Sequence, residues 1–154
     1  MNVKNIIDIG CGSGFKLIKY FSRYDIKGLD IEPTLSYLRK KYPHNKWLNA
    51  IKTDMSLLES QMVICSDVIE HVLDPKELLI KIKSVNKFQK LVISATVRDL
   101  VYSGSQNGPP KKPTYIREWS YSEFNEFISS YFKIEKHFIS NREQRTQTII
   151  CSPL

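Results

Sequence analysis

Residues 8–14 read Asp8-Ile9-Gly10-Cys11-Gly12-Ser13-Gly14. They close the apolar run Asn5-Ile6-Ile7-Asp8-Ile9, which reads as a buried strand. They precede a helical pattern from Phe15 to Arg23, with Leu17, Ile18 and Phe21 on one face. A glycine-rich turn between strand and helix lets the backbone approach a ligand closely, and it aims helix N-terminal N–H groups at that ligand. The dinucleotide fingerprint requires GxGxxG, and Phe15 stands where its third glycine belongs. The spacing here is GxGxG, with Asp8 two residues ahead of Gly10. An acid at that point repels a pyrophosphate and suits a ligand with a positive charge.

The alternation continues outward from this loop. Ile26 to Asp30 reads as a second strand, and Leu35, Leu38 and Tyr42 repeat at helical spacing after Pro33, which suits a first helical turn. Lys46 to Asn49 and Met62 to Cys65 read as further strands. Asp74-Pro75 reads as an N-cap and first-turn proline, opening a helix with Leu78, Leu79, Ile82 and Val85 inward. Lys90 to Ala95 is a fifth strand. Ser120 and Glu123 form a capping box before Phe124, Phe127 and Ile128, and Phe132–Phe138 with Thr146–Ser152 read as a closing antiparallel hairpin. The predicted class is α/β: a Rossmann-like, seven-stranded, mostly parallel sheet with an antiparallel final hairpin and helices on both faces. Residues 97–118 are polar and rich in glycine and proline, and are expected to form a loop over the acceptor side.

Composition sets outer limits. The 154 residues suit one domain, 1–154, and 42% hydrophobic with 25% charged residues is a globular balance. No stretch approaches the length of a membrane helix, and the start carries no signal-peptide pattern. Cys11, Cys65 and Cys151 have neither disulfide nor zinc spacing, which predicts reduced thiols in a cytoplasmic protein. The net charge of +7 attracts anions at long range, but it is spread along the chain. Its only clusters are Arg39-Lys40-Lys41 and Lys111-Lys112. That does not favour nucleic acid, whose binders carry a clustered basic stripe.

Two further acids narrow the ligand. Asp30 ends the second strand, where a carboxylate accepts ribose hydroxyls in dinucleotide folds. Asp54 follows the third strand beside Met55, an arrangement able to accept from an adenine amino group and cover its ring. A cationic amino-acid end, a ribose and an adenine together describe S-adenosylmethionine. With Gly28-Leu-Asp-Ile-Glu32, Thr53-Asp54-Met55 and Ser66-Asp-Val-Ile-Glu-His-Val-Leu-Asp-Pro75, the sequence resembles the class I S-adenosylmethionine-dependent methyltransferases over nearly its whole length. The resemblance implies that Asp8, Gly10, Cys11, Gly12 and Gly14 line the methionine portion of the cofactor and of its product, S-adenosylhomocysteine. It implies that Asp30 holds the ribose, Ile31 packs on adenine, Asp54 meets its amino group, and Cys65 and Ser66 offer backbone groups. Met55 and Ile31 also read as ordinary core residues.

The candidate base is His71, just past the fourth strand, with Glu70 either orienting it or facing solvent. Its other reading is a histidine packed at a helix start. Many methyltransferases of sugars, quinones and other small molecules carry a similar Glu-His-Val. Asp67-x-x-Glu70-His71 with Glu118-Trp119 also resembles the metal site of small-RNA 3′-end 2′-O-methyltransferases. Tyr115 stands near the place of their further histidine, so no metal is expected. Trp119 reads as a stacking surface or as an anchor for the last helix, and Arg98, Asp99, Tyr102 and Tyr115 lie on the same acceptor-side loop. The chain starts almost on its first strand, which predicts an open pocket closed by 97–118 or by a second copy in a homodimer. The expected activity is O-methylation of a small molecule or glycan. The alternatives are an RNA 2′-O-methyltransferase and a non-catalytic cofactor-binding subunit.

Overall fold

Alternate residues of β1 (Asn5–Ile9) supply the two faces of one sheet. Ile6 packs with Leu17, Ile26, Leu35, Leu38 and Trp47 on one side, while Ile7 and Ile9 join Leu79, Ile82, Phe124 and Ile128 on the other. In this computed structural model the described residues are 3–101, 110 and 113–154. Tyr102, Gly104, Gly108, Pro109, Lys111 and Lys112 lie outside them.

After β1 come α1 (Phe15–Phe21), β2 (Asp25–Asp30), α2 (Thr34–Lys41), β3 (Lys46–Asn49), β4 (Met62–Ser66), α3 (Pro75–Lys83) and β5 (Lys90–Thr96). The chain continues through α4 (Arg98–Val101), α5 (Tyr121–Ser129), β6 (Phe132–Asn141) and β7 (Thr146–Pro153). Single 3-10 turns occupy Met55–Leu57 and Ile69–His71. The strand order is β3-β2-β1-β4-β5-β7-β6. The first five strands pair in parallel, and β7 runs antiparallel to both β5 and β6. The predicted architecture is present, and the chain reverses its order beside β1, where open α/β sheets bind ligands.

The predicted caps form. Asp74 Oδ1 accepts from the amides of Lys76 and Glu77 at 2.9 and 3.1 Å, and the Ser120–Glu123 box closes in both directions. Several boundaries move. Helix α1 stops at Phe21 because the Tyr24 amide turns back to the Phe21 carbonyl at 2.9 Å and β2 follows at once. Pro33 is the flanking residue of α2, not part of its first turn. Strand β6 runs past Phe138 to Asn141, where the Thr148 hydroxyl donates to Ser140 Oγ at 2.8 Å and carries the ladder nearly to the tip. Among the described residues no helix is long and apolar enough to cross a membrane.

Candidate active site

The glycine loop folds over the end of β2. The amides of Gly10 and Cys11 donate to the Leu29 carbonyl at 2.7 and 3.2 Å, and the Gly12 amide donates to Asp30 Oδ2 at 2.8 Å. The other Asp30 oxygen accepts from the Ile31 amide at 2.8 Å. Gly10, Gly12 and Gly14 all have left-handed φ, of 70, 53 and 68°. Their surroundings differ. A Cβ on Gly10 would lie 2.2 Å from Val68 Cγ2, and one on Gly14 would lie 2.8 Å from Leu38 and 2.9 Å from Trp47. A Cβ on Gly12 would meet nothing within 4 Å, so its backbone is open to a ligand. Two glycines therefore fit the loop to its own protein, and the third presents a cradle.

Asp8 lies beside this cradle at 8% exposure. Burial pushes its carboxyl up to about 7, with Lys16 pulling it down and Asp30 pushing it up. Burial also pushes the Cys11 thiol up to about 12, so this cysteine is no nucleophile at neutral pH. Ile31 is 48% exposed and offers an apolar shelf next to Asp30. Asp54 is exposed. Its Oδ1 accepts from Ser56 N and Oγ at 2.9 and 2.7 Å, and the Ser56 hydroxyl and amide hold its carboxyl below the usual carboxylate range. Met55 takes the core reading, at 3% exposure among Ile7, Leu29 and Val63. Cys65 is buried in the same core at the end of β4, next to the half-buried Ser66. An open glycine, an acid next to it, an acid ending β2 and an exposed apolar shelf fit the ribose, adenine and charged end of S-adenosylmethionine. Asn49, which ends β3, was not anticipated. Its Oδ1 accepts from the amides of Ile51 and Lys52 at 3.0 Å each and shapes the turn leading to Asp54.

Beyond β4 the chain turns at Asp67, a non-glycine residue with φ 56°. Its amide donates to Ser94 O and Oγ, both at 3.2 Å, and the Ser94 hydroxyl donates to Asp67 Oδ1 at 3.0 Å. His71 is exposed, with Nδ1 2.8 Å from the Thr114 carbonyl and its ring edge-on to Tyr115 at 4.9 Å. Glu70 departs from both expectations. It is 0% exposed, and its Oε1 accepts from Thr96 N and Oγ1 at 3.2 and 3.3 Å, so it neither orients His71 nor faces solvent.

The acceptor-side candidates divide. Arg98 Nη2 donates to Glu123 at 2.6 Å and Asp99 accepts from the Tyr121 amide at 2.9 Å, so both fasten α4 to the start of α5. Trp119 is an anchor at 9% exposure, packed on Phe124 and stacked on Phe127. Tyr115 does reach a cavity of about 480 Å³, lined also by Asp67, Thr96, Glu118 and the hairpin tip from Glu143 to Thr146. Asp67 on its wall is followed in the chain by Val68, whose side chain stands against Gly10. The hairpin wall was not foreseen, and its only sequence signal is the short polar run 141–145 between two apolar strands. Among the described residues no three His, Cys, Asp or Glu side chains gather as a metal site.

A strand order of this kind, with a glycine loop and an acid at the end of β2, defines the class I methyltransferases. A family model described as a methyltransferase domain matches residues 2–136, and the chain belongs to that family. It is a methyltransferase, and its open Gly12, with Asp8, Asp30 and Ile31 beside it, suits S-adenosylmethionine as the methyl donor. No curated protein matches the sequence. A protein of Pyrococcus horikoshii OT3 has a similar structure, with TM-score 0.73 and 16% identity over 99% of this chain and 83% of that one. The methyltransferase domain of bacterial CtHen1 is similar at TM-score 0.67 and 18% identity, covering 97% and 90%. Magnesium protoporphyrin IX methyltransferase from Synechocystis PCC 6803, solved with bound SAH, is similar at TM-score 0.65 and 15% identity, covering 97% and 74%.

Proposed function

We propose that this enzyme methylates a hydroxyl group of a small molecule or glycan held in the cavity beyond β4 and β5, with His71 as general base. The observation that carries this reading is the anchored ring of His71. Its Nδ1 faces a carbonyl, which can only accept, so Nδ1 keeps the proton and Nε2 is the acceptor. The bound cofactor supplies an electrophilic methyl group on a cationic sulfur. His71 Nε2 would accept the proton that the acceptor hydroxyl gives up on methylation, and the carbonyl at Nδ1 would hold the ring for that transfer. Asp8, the Gly10–Gly14 loop with Cys11, Asp30, Ile31 and Asp54 bind the cofactor, with Met55 beneath and Cys65 and Ser66 contributing backbone. The remaining work is alignment of donor and acceptor.

The cavity charges support a neutral or polyhydroxylated acceptor over RNA. Among the described residues the lining carries Asp67, Glu118 and Glu143 against one arginine, Arg145, and carboxylates repel a phosphate chain. The basic run on α2 is also partly engaged, Arg39 with Glu32 and Lys41 with the Tyr37 hydroxyl.

Two tests follow. Calorimetric titration with S-adenosylmethionine, with NAD as control, should show binding to the cofactor alone. Asp30→Ala should weaken it about a hundredfold or more, since two hydrogen bonds to a charged acceptor are lost. Wild-type affinity in that variant would remove Asp30 from the ribose site. Transfer of labelled methyl to a panel of phenols and sugars should fall about 10²–10⁴-fold in His71→Ala, with cofactor affinity unchanged. A variant that transfers at the wild-type rate would show that His71 is not the base.

A further inference from the structure

We propose that Glu70 is the positioning residue that fastens Thr96 and residues 114–117 to the turn carrying His71. The proposal rests on the reading of His71 and the neighbouring cavity as the acceptor side. Seven contacts link residues 70–73, Thr96 and residues 114–117. Glu70 Oε1 accepts from Thr96 N and Oγ1, and the Thr96 hydroxyl lies 2.9 Å from the Tyr115 hydroxyl. The Glu70 carbonyl accepts from the amides of Ile116 and Arg117 at 2.8 and 3.4 Å. Thr114 O meets His71 Nδ1, and Arg117 Nη2 donates to Leu73 O at 3.0 Å. Thr96 and Tyr115 line the cavity, so Glu70 sets two of its walls without touching its interior.

The surroundings of Glu70 disfavour its charged form. Glu70 is 0% exposed, its Oε2 is buried without a hydrogen-bond partner, and it makes no ion pair among the described residues. On its own turn it faces Asp67, which opposes ionisation, and His71, which favours it. The segment over it brings Tyr115, Arg117 and Glu118, but the Arg117 guanidinium is directed to Leu73 O and Trp119. At the end of β5 the Arg98 guanidinium is turned to Glu123. Burial holds the Glu70 carboxyl above its ordinary range. An unpaired hydroxyl in such a place costs far less than an unpaired negative charge. Ionisation would draw water to Oε2 and loosen the Thr96–Tyr115 wall.

Amide hydrogen exchange tests this without a known acceptor. In Glu70→Ala the amide of Thr96 loses its acceptor and should exchange about tenfold faster or more. Those of Ile116 and Arg117 keep the main-chain carbonyl of residue 70 and should follow to a smaller extent as the Thr96–Tyr115 wall loosens, with calorimetric binding of S-adenosylmethionine unchanged. Glu70→Gln, which keeps the shape and Oε1, should restore protection. As pH rises, wild-type protection at these amides, corrected for intrinsic exchange, should fall, and that of Glu70→Gln should not. Unaltered protection in Glu70→Ala, or the same pH trend in wild type and Glu70→Gln, overturns the proposal. If Glu70→Ala does not fold, the pH comparison decides alone. Failure of the wild type to bind the cofactor would count against the proposed function, while the exchange data still judge Glu70.

Discussion

Asp8→Asn is expected to melt later than the wild type at pH 8 and to lose its affinity for the cofactor. The carboxyl of Asp8 ionises near 3.8 when unfolded and near 7 when folded, chiefly because burial penalises the charge. A raised folded value means that its favourable contribution is complete below about pH 3.8 and is lost as pH climbs through about 7. The ionised folded state at pH 8 then carries a penalty of up to about 4 kcal/mol, which an amide of the same shape avoids. The same charge attracts a cationic ligand. Wild-type affinity for S-adenosylmethionine should therefore rise with pH through about 7, and that of Asp8→Asn should stay flat and about a hundredfold weaker. Thermal melts at pH 5 and pH 8, with titrations at both, check the two halves separately. Identical pH dependence of melting in the two proteins would show that Asp8 is hydrated and ordinary.

Gly10→Ala should cost about 2–5 kcal/mol. The left-handed φ of 70° contributes about 1–2 of these for a residue with a Cβ, and overpacking against Val68 at 2.2 Å contributes about 1–3. Valine is stiff at χ1 and cannot swing its methyl away cheaply. Val68→Ala in the Gly10→Ala background should recover the overpacking part and leave the backbone part. A double-mutant cycle by urea unfolding should give a coupling of at least about 1 kcal/mol. Additive effects would mean that the glycine loop and the β4 turn do not press on each other.

What the sequence disclosed was local. Apolar runs bounded by turn residues located all seven strands within a few residues; β1 and β5 are buried along most of their length, whereas the edge strand β6 is largely exposed and polar. Capping residues placed the starts of α3 and α5 for an equally local reason. The acids at positions 8, 30 and 54 were legible from local context: Asp8 lies in β1 two residues before Gly10, Asp30 ends β2, and Asp54 caps the turn Met55–Leu57. The surroundings of His71 were not. Glu70 is buried only because β5 delivers Thr96 across 26 positions, and no local pattern carries that contact. Trp119 fitted two readings until Phe124 and Phe127 were seen around it. Glycine spacing could not separate Gly10, hemmed in by Val68, from Gly12, open to a ligand. The hairpin wall of the cavity depends on β7 lying between β5 and β6.

That placement of β7 also fixes an order of events on the ribosome. The last strand to emerge occupies an interior lane of the sheet, pairing Leu91 with Cys151 and Thr96 with Thr146. Until it arrives, β5 shows an unpaired edge of main-chain N–H and C=O groups, flanked by apolar side chains, to water and to other nascent chains. The strands that carry the glycine loop, Asp30 and the β4 turn are already synthesised and able to pair. The pairings of β7 with β5 and β6 are thus the last of the sheet to form, and a chaperone that shields the β5 edge would act in that interval.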